Sequence, residues 1–448
     1  AGVALGMGGS GVPIPPENLV QTAFDNYLVP KGFGDYTPVR VFTPEGLQPI
    51  DSGIKSLPFD TSVAQGVTIL NDTIKAQLEA GNNVVVGGVS QSATINAIEM
   101  QDIANGSLGP DFTLDKLKPD QLQFLSLGDP SNPNGGVLSR FDLPIGSHPS
   151  IPSLGLTFSG AAPADTGIPT DIYTIEYDGF ADFPRYPMNF VSDLNAVAGF
   201  AFAHPLYIQG LRGPGIGLTP QQIADAQPLP VTDGYDGGTA YYMVPNDNLP
   251  LAQLIEMIAG KPLADLLEPD LRVLANLGYG TDPTQGWSDG PANVATPFGL
   301  FPTLDSDQFN TILQALVDGA EKGFHDFTAD LAAQSAPTGP AVDLFSTLAQ
   351  GLADPPSFTD AVNAISAAAA DAYAVLLPTA DIINALTTSL PAYELSLFLD
   401  NIQAGDLADA IGLPAAANTG LSTIGLGFET LVLIEAVQNI ESALSIFG

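Results

Sequence analysis

The stretch Val84-Val85-Val86-Gly87-Gly88-Val89-Ser90-Gln91-Ser92-Ala93 decides how the chain reads. Three consecutive β-branched residues suit a strand buried on both faces, as in the middle of a parallel sheet. Two glycines follow, and a helical pattern takes over from Ser92 to Met100. A nucleophilic serine on such a strand-to-helix turn projects its hydroxyl from a strained backbone, which needs small residues two positions away on either side. Gly88 supplies one and Ser92 the other, where the common pattern ends in Gly. The helix after Ser90 aims its first amides at the place where an oxyanion would form. The plainer alternative is an ordinary strand-turn-helix with a buried serine; the strand and helix flanks favour the nucleophile.

Outward from this stretch, strands and helices alternate. Gly2 to Met7 is a short apolar run ending in Gly8-Gly9-Ser10-Gly11, and Glu17 to Tyr27 reads as helix. Val63, Val67, Leu70, Ile74 and Leu78 recur at helical spacing before Gly81, a C-cap candidate. Leu122 to Leu127 and Ile172 to Tyr177 read as further strands, closed by Gly128-Asp129-Pro130 and Asp178-Gly179. Alternation of this kind predicts an α/β fold with a parallel sheet and crossover helices. Residues 131–170 and 210–238 are rich in Gly, Pro, Ser and Asp and read as long loops of the kind that build a site rim. From about residue 305 the pattern becomes helical over Phe309–Phe327, Phe358–Leu377, Asp381–Leu390, Leu395–Ile402 and Leu421–Leu444. The expected division is therefore a catalytic part, 1–304, and a helical, Ala-rich part, 305–448.

A serine nucleophile needs a base, and the chain has three histidines, His148, His204 and His325. In α/β-hydrolases the order is Ser, acid, His. Asp178 closes a strand and His204 follows 26 residues later, after the amphipathic Phe190–Phe202 stretch. His148 lies in a Gly/Pro/Ser loop and His325 on a helix surface. The acid is ranked Asp178, then Asp182, then Asp129, since the last two also adjoin strands. The Gly8–Gly11 loop lacks the Gly-Lys-Ser/Thr ending of a phosphate loop and the third spaced Gly of a dinucleotide fingerprint. It reads either as an oxyanion loop, with Ser10 opposite the Gln91 amide, or as a tight turn alone. Without cysteine and with dispersed histidines no metal cluster is expected, and Asp305 and Asp307 read as solvated rather than as calcium ligands.

Composition sets the outer limits. The 448 residues hold 12 Lys+Arg against 49 Asp+Glu, a formal charge of −37. Phosphate neutralisation needs Lys and Arg, so nucleic acid is excluded as first partner, and an anionic lipid surface is disfavoured. Only 14% of residues are charged and 45% are hydrophobic, which excludes an acidic disordered chain. Lys322 is the last basic residue. No uninterrupted apolar run reaches the roughly 20 residues of a membrane span. The absence of Cys and the small first residue, Ala1, lead us to expect an exported protein.

Several stretches resemble the PE-PPE domain of mycobacteria and relatives. They are Met7-Gly8-Gly9-Ser10-Gly11-Val12-Pro13, Gly88-Val89-Ser90-Gln91-Ser92 and Gly128-Asp129-Pro130-Ser131-Asn132-Pro133-Asn134-Gly135-Gly136. Tyr177 to Pro187, Asp193 to Gly199, Thr239 to Pro245 and Leu271 to Leu274 extend the likeness to about residue 280. That family is similar to cutinases, and the resemblance implies an α/β-hydrolase sheet, a Ser-Asp-His triad and tolerance of Ser at the position of Ser92. It implies Ser90 as nucleophile, His204 as base, Asp178 as acid and Ser10 in the oxyanion loop. No cofactor is implied. The expected substrate is an acyl lipid or glycolipid, and trehalose-type glycolipids are included because some relatives are acyltransferases. The expected setting is the cell envelope, with peripheral association. A different class stays open: an envelope structural or interaction protein that keeps the hydrolase fold without turnover.

Overall fold

A computed structural model describes residues 1–48, 57–333 and 381–444, together with Asn363 and Ala367. The helix expected over Phe358–Leu377 lies, those two residues apart, outside the described residues. Seven strands form one sheet: β1 (Gly2–Gly6), β2 (Thr37–Arg40), β3 (Asn83–Val89), β4 (Leu122–Leu127), β5 (Thr170–Ile175), β6 (Gln227–Pro228) and β7 (Thr239–Val244). Their order is β2-β1-β3-β4-β5-β7-β6, parallel throughout except for the edge pair β6/β7. Val84 pairs with Val3 on one side and with Leu122 on the other. The β-branched run is thus the interior strand its composition calls for.

Strand alternation divides the core between the two faces. Leu5, Val84, Val86 and Phe124 pack with helices α2 (Phe59–Glu79) and α3 (Gln91–Ala104), through Leu70, Ile74, Ile95 and Ile103. Ala4, Val85 and Leu125 face the other way, onto Phe24, Tyr27 and Tyr207. Helix α1 (Glu17–Ala23) runs on as a π-helical turn over Phe24–Leu28. Later helices are α4 (Phe190–Phe202), α5 (Pro250–Ala259), α6 (Lys261–Asn276), α7 (Ser306–Ala332), α8 (Leu390–Gln403) and α9 (Leu407–Leu444). Asp305, read as solvated, is the N-cap of α7: its side chain accepts from the Gln308 amide in a capping box. Leu397 of α8 and Leu413, Ala416, Ala417 and Ile424 of α9 join the same core cluster as α2 and α3. This is a mostly parallel α/β-hydrolase sheet with an added helical C-terminal region.

From the β1–β3 pair the chain winds outward in both directions, to β2 on one side and β4 on the other. The crevice at the carboxyl ends of β1 and β3 is therefore the topological switch point, where open α/β sheets bind ligands. Gly8–Gly11 follows β1 there and Ser90 follows β3.

One core residue makes the fold pH-sensitive. Glu99 on α3 is fully buried and neither carboxyl oxygen has a protein hydrogen-bond partner. Burial, aided by Asp102 and Asp72, pushes its pKa up to about 9. The folded state holds a proton that the unfolded chain releases near its ordinary carboxylate pKa. Stability from this group is complete below about pH 4.5 and is lost as pH rises towards 9. Glu99→Gln should match the wild-type melting temperature at pH 5 and exceed it by about 2–4 °C at pH 8, read by calorimetry.

Candidate active site

Ser90 sits at φ 57°, ψ −116°, between the end of β3 and the start of α3. For a residue with a side chain this is a strained backbone, and strain of this kind lifts a serine hydroxyl clear of the sheet. The turn is tight at Gly88, where a Cβ would come within 2.6 Å of the Ser92 carbonyl oxygen and 2.8 Å of Asn96 Nδ2. Ser92 has a positive use beyond being small. Its Oγ accepts from the Val89 amide at 2.7 Å and donates to the Val89 carbonyl at 3.0 Å, stitching the turn to the strand. That explains how a serine replaces the usual glycine.

His204 begins a 3₁₀ turn directly after α4. Its Nε2 lies 2.7 Å from Ser90 Oγ and its Nδ1 2.8 Å from Asp178 Oδ2. A carboxylate offers only acceptors, so the pairing puts the imidazole proton on Nδ1 and leaves Nε2 to accept from the serine. Asp178 is fully buried. Its Oδ1 accepts from the Phe180 amide at 2.9 Å, and its Oδ2 also accepts from Tyr207 Oη at 2.6 Å. Three donors therefore fix the carboxylate that fixes the histidine.

On the other side of Ser90, Gln91 is the first residue of α3, so its amide is one of the unpaired donors of the helix start. The Gln91 side chain is buried and ties several segments together. Its Nε2 donates to Ser10 Oγ at 3.0 Å and to the Gly46 carbonyl at 2.9 Å, while its Oε1 accepts from Ser62 Oγ at 2.7 Å. Gly9 packs against Ser90, its Cβ position lying 3.5 Å from Ser90 Cβ. Beneath the loop, the Glu45 carbonyl accepts from the Gly11 amide at 2.9 Å. The Glu45 carboxyl accepts from Thr43 Oγ1 at 2.6 Å, and burial pushes its pKa up to about 8.

The PE-PPE domain model matches residues 34–280, more than half of the chain. The chain belongs to the PE-PPE domain family. PPE28, a PPE family protein of Mycobacterium tuberculosis, is 43% identical over 99% of this chain and 67% of its own length. Esterase PE16 of the same organism is 45% identical over 67% of this chain and 51% of its own length. Diacyltrehalose acyltransferase Chp2, also of M. tuberculosis, is 28% identical over 67% of this chain and 80% of its own. The chain spans between about half and two thirds of the first three curated relatives it matches. A cutinase-like protein from Cryptococcus sp. aligns at 15% identity with a TM-score of 0.26, over 40% of this chain and 78% of that one. The sheet order and the family match establish the α/β-hydrolase fold.

Within this PE-PPE domain the remaining sequence candidates fall elsewhere. Asp182 is fully buried, but its Oδ2 accepts from the Tyr177 amide at 2.9 Å, with no hydrogen bond to His204. Burial holds its pKa well above the carboxylate range, against the pull of the nearby Arg140 charge. Asp129 is buried too, pushed up to about 7, and accepts from the Ser131 amide at 2.8 Å. The His148 side chain is half exposed in its loop, and that of His325 is 83% exposed on α7. Among the described residues no group of three or more His, Asp or Glu is arranged to hold a metal ion.

Sequence reading missed Tyr207, Ser62 and Glu45. Tyr207 is fully enclosed and its Oη also accepts from the Ile175 amide at 2.9 Å, so the phenol bridges β5 to Asp178. Only its position three residues after His204 could have hinted at it. Tyr207→Phe removes one hydrogen bond to a charged group and strands the Ile175 amide, so kcat on an acyl ester should fall about 10-fold with KM little changed. Steady-state kinetics on a p-nitrophenyl ester check this.

Ser90 and His204 open into a cavity of ≈ 530 Å³. Its walls are almost wholly apolar. Its lining includes Leu19, Val20 and Phe24 and, from the C-terminal helices, Leu386, Ile424 and Phe428.

Proposed function

We propose that this PE-PPE domain is a serine esterase or acyltransferase acting on acyl esters of lipids or glycolipids. The observation that carries the reading is the unbroken hydrogen-bonded chain Ser90–His204–Asp178, opening into an apolar cavity. Ser90 Oγ attacks the acyl carbonyl while His204 Nε2 takes its proton. The oxyanion accepts from the Gln91 amide and from the Ser10 side of the Gly8–Gly11 loop. The C–O bond of the ester then breaks, and His204 Nε2 returns the proton to the leaving oxygen, which leaves an acyl group on Ser90. A water or a sugar hydroxyl next gives its proton to His204 and attacks the acyl carbonyl, which releases Ser90. Asp178 holds the imidazole in its tautomer and offsets the imidazolium charge; Asp182, engaged elsewhere, is set aside as the acid. The relatives named as an esterase and as a diacyltrehalose acyltransferase support both outcomes of the last step. The chemistry needs no cofactor. In this reading residues 1–304 carry the reaction and residues 305–448 complete the site, and the protein acts after export, associated peripherally with the cell envelope. No helix of the described residues is long and apolar enough to cross a membrane.

The test is labelling by a fluorophosphonate probe, expected for the wild type and absent in Ser90→Ala. Mass spectrometry with acylated trehalose as donor and acceptor then separates the two activities: a more highly acylated sugar marks a transferase, and free fatty acid alone marks a hydrolase. Absence of Ser90-dependent labelling, together with no hydrolysis of short acyl esters, would overturn the reading in favour of a non-catalytic envelope protein.

A further inference from the structure

The C-terminal helices reach the site in a way that points to a specific task. Ile382 and Leu386 come from the helical turns leading into α8, and both line the cavity that Ser90 and His204 open into. Across from them stands Gly425 of α9, whose Cβ position lies 3.5 Å from Ile382 and 3.6 Å from Leu386. The wall is therefore closed at this point by three apolar positions from two helices, with ordinary van der Waals spacing and no polar atom among the side chains.

This wall is fastened down. Tyr393 Oη donates to the Leu143 carbonyl at 2.6 Å, and Ser153 Oγ donates to the Asp381 carbonyl at 3.2 Å. Helix α9 lies so close to α4 that a Cβ on Gly427 would collide with Val197, and further back along α9 Ala410, Ala416 and Ala417 are fully buried. Small residues at a helix contact let the backbones approach and leave little freedom to slide. Phe428 then stacks on Phe200 at 5.4 Å, Phe200 on Phe180 at 4.0 Å, and Phe180 lies 4.6 Å from the His204 ring. One end of the C-terminal wall is thus linked to the His204 ring through Phe200 and Phe180, while Ile382 and Leu386 bound the cavity with aliphatic surface only.

We infer that residues 381–428 form the length gauge of the acyl site. An unbranched acyl chain, its carbonyl at Ser90, runs along the C-terminal helices, and Ile382 and Leu386 limit how many methylenes it can hold. An acyl chain fits because the cavity, within the usual range of about 300–1,000 Å³ for ligand sites, opens onto Ser90 and His204 and is lined mainly by apolar side chains, with Ser389 and Tyr393 as the polar residues of the C-terminal wall. The anchored wall makes this a fixed stop rather than a gate that opens. The inference rests on Ser90 carrying an acyl group in turnover, but the seat for the chain can be measured without turnover.

The test uses Leu386→Trp and Leu386→Ala in the full chain. Two readouts are taken on each: kcat/KM over a series of p-nitrophenyl esters of increasing chain length, and displacement of a fluorescent fatty acid by saturated fatty acids of the same lengths. Filling the cavity with Trp should cut kcat/KM for the longest well-used ester by about tenfold or more while leaving the shortest within about twofold, and Ala should move the optimum to longer chains. The fatty-acid series should shift in the same directions. Should Leu386→Trp not fold, Leu386→Ala carries the test by itself. Hydrolysis with an unchanged length profile in the folded variants overturns the gauge and leaves the esterase reading intact. No hydrolysis and no Ser90-dependent labelling of the wild type, but fatty-acid binding whose length preference moves with Leu386, overturns the esterase or acyltransferase reading and upholds the gauge. Wild type that neither hydrolyses esters, nor is labelled at Ser90, nor binds fatty acids overturns both.

Discussion

Ser90→Ala should lower kcat on an acyl ester by about 10⁵–10⁶-fold, the scale of losing a nucleophile that acts as one unit with its base. The fold should survive the change. The Ser90 amide donates to the Leu127 carbonyl at 2.9 Å whatever its side chain, and the turn is stitched by Ser92, not by Ser90. The cavity walls are untouched, so ester affinity should hardly move. The residual rate reports what the oxyanion donors and the cavity contribute alone. Active-site titration and long-time kinetics on purified variant, with the melting temperature as a control, check this. A variant that keeps more than a few per cent of wild-type kcat would remove Ser90 from the mechanism.

Asp178→Asn should cost about 10⁴-fold in kcat, although it changes one atom. The reason lies in the three donors around this carboxylate. With its oxygen towards His204 and Tyr207, the asparagine turns its NH₂ onto the Phe180 amide, donor against donor, and offers no charge to the imidazolium. With its oxygen towards Phe180, the NH₂ faces His204 Nδ1 and forces the proton onto Nε2, which can then no longer accept from Ser90. Either orientation fails. The matching change Asp182→Asn acts on a carboxyl held by the Tyr177 amide, so it should affect stability and leave chemistry nearly unaltered. Parallel kinetics and thermal melts on the two variants separate the roles.

The parts legible from sequence were those that local rules control. The β-branched run before Gly87-Gly88 gives an interior strand, the small residues about Ser90 give the sharp turn, and chain order selects His204 among three histidines. The Gly8–Gly11 loop could be placed only by knowing that β1 neighbours β3. What stayed hidden depends on contacts far apart in sequence. Tyr207 reaches back 29 residues to Asp178, and Ser62 meets Gln91 across 29 more. Asp182 and Asp129 stayed as runners-up to Asp178 because they too adjoin strands; the direction of each side chain, set by neighbouring amides, separates them. The wall over the cavity was hardest to read, since α8 and α9 carry apolar residues on several faces and periodicity does not say which face meets the sheet. Phe190–Phe202, read only as an amphipathic stretch, is helix α4, and α9 docks on it at Val197.

The sheet order has a practical consequence for dividing the molecule. Strand β1 stands second in the sheet, hydrogen-bonded to β2 and β3 alike. The stretch matched by the family model starts at residue 34, after β1 and after Ser10. A fragment cut to that stretch would lose an inner strand and expose two unpaired edges in mid-sheet, each a template for aggregation. It would also lack the loop that faces Ser90 and the helices that close the cavity. The boundary that sequence similarity draws is therefore not the boundary of a unit able to fold, and expression trials are best planned from strand order.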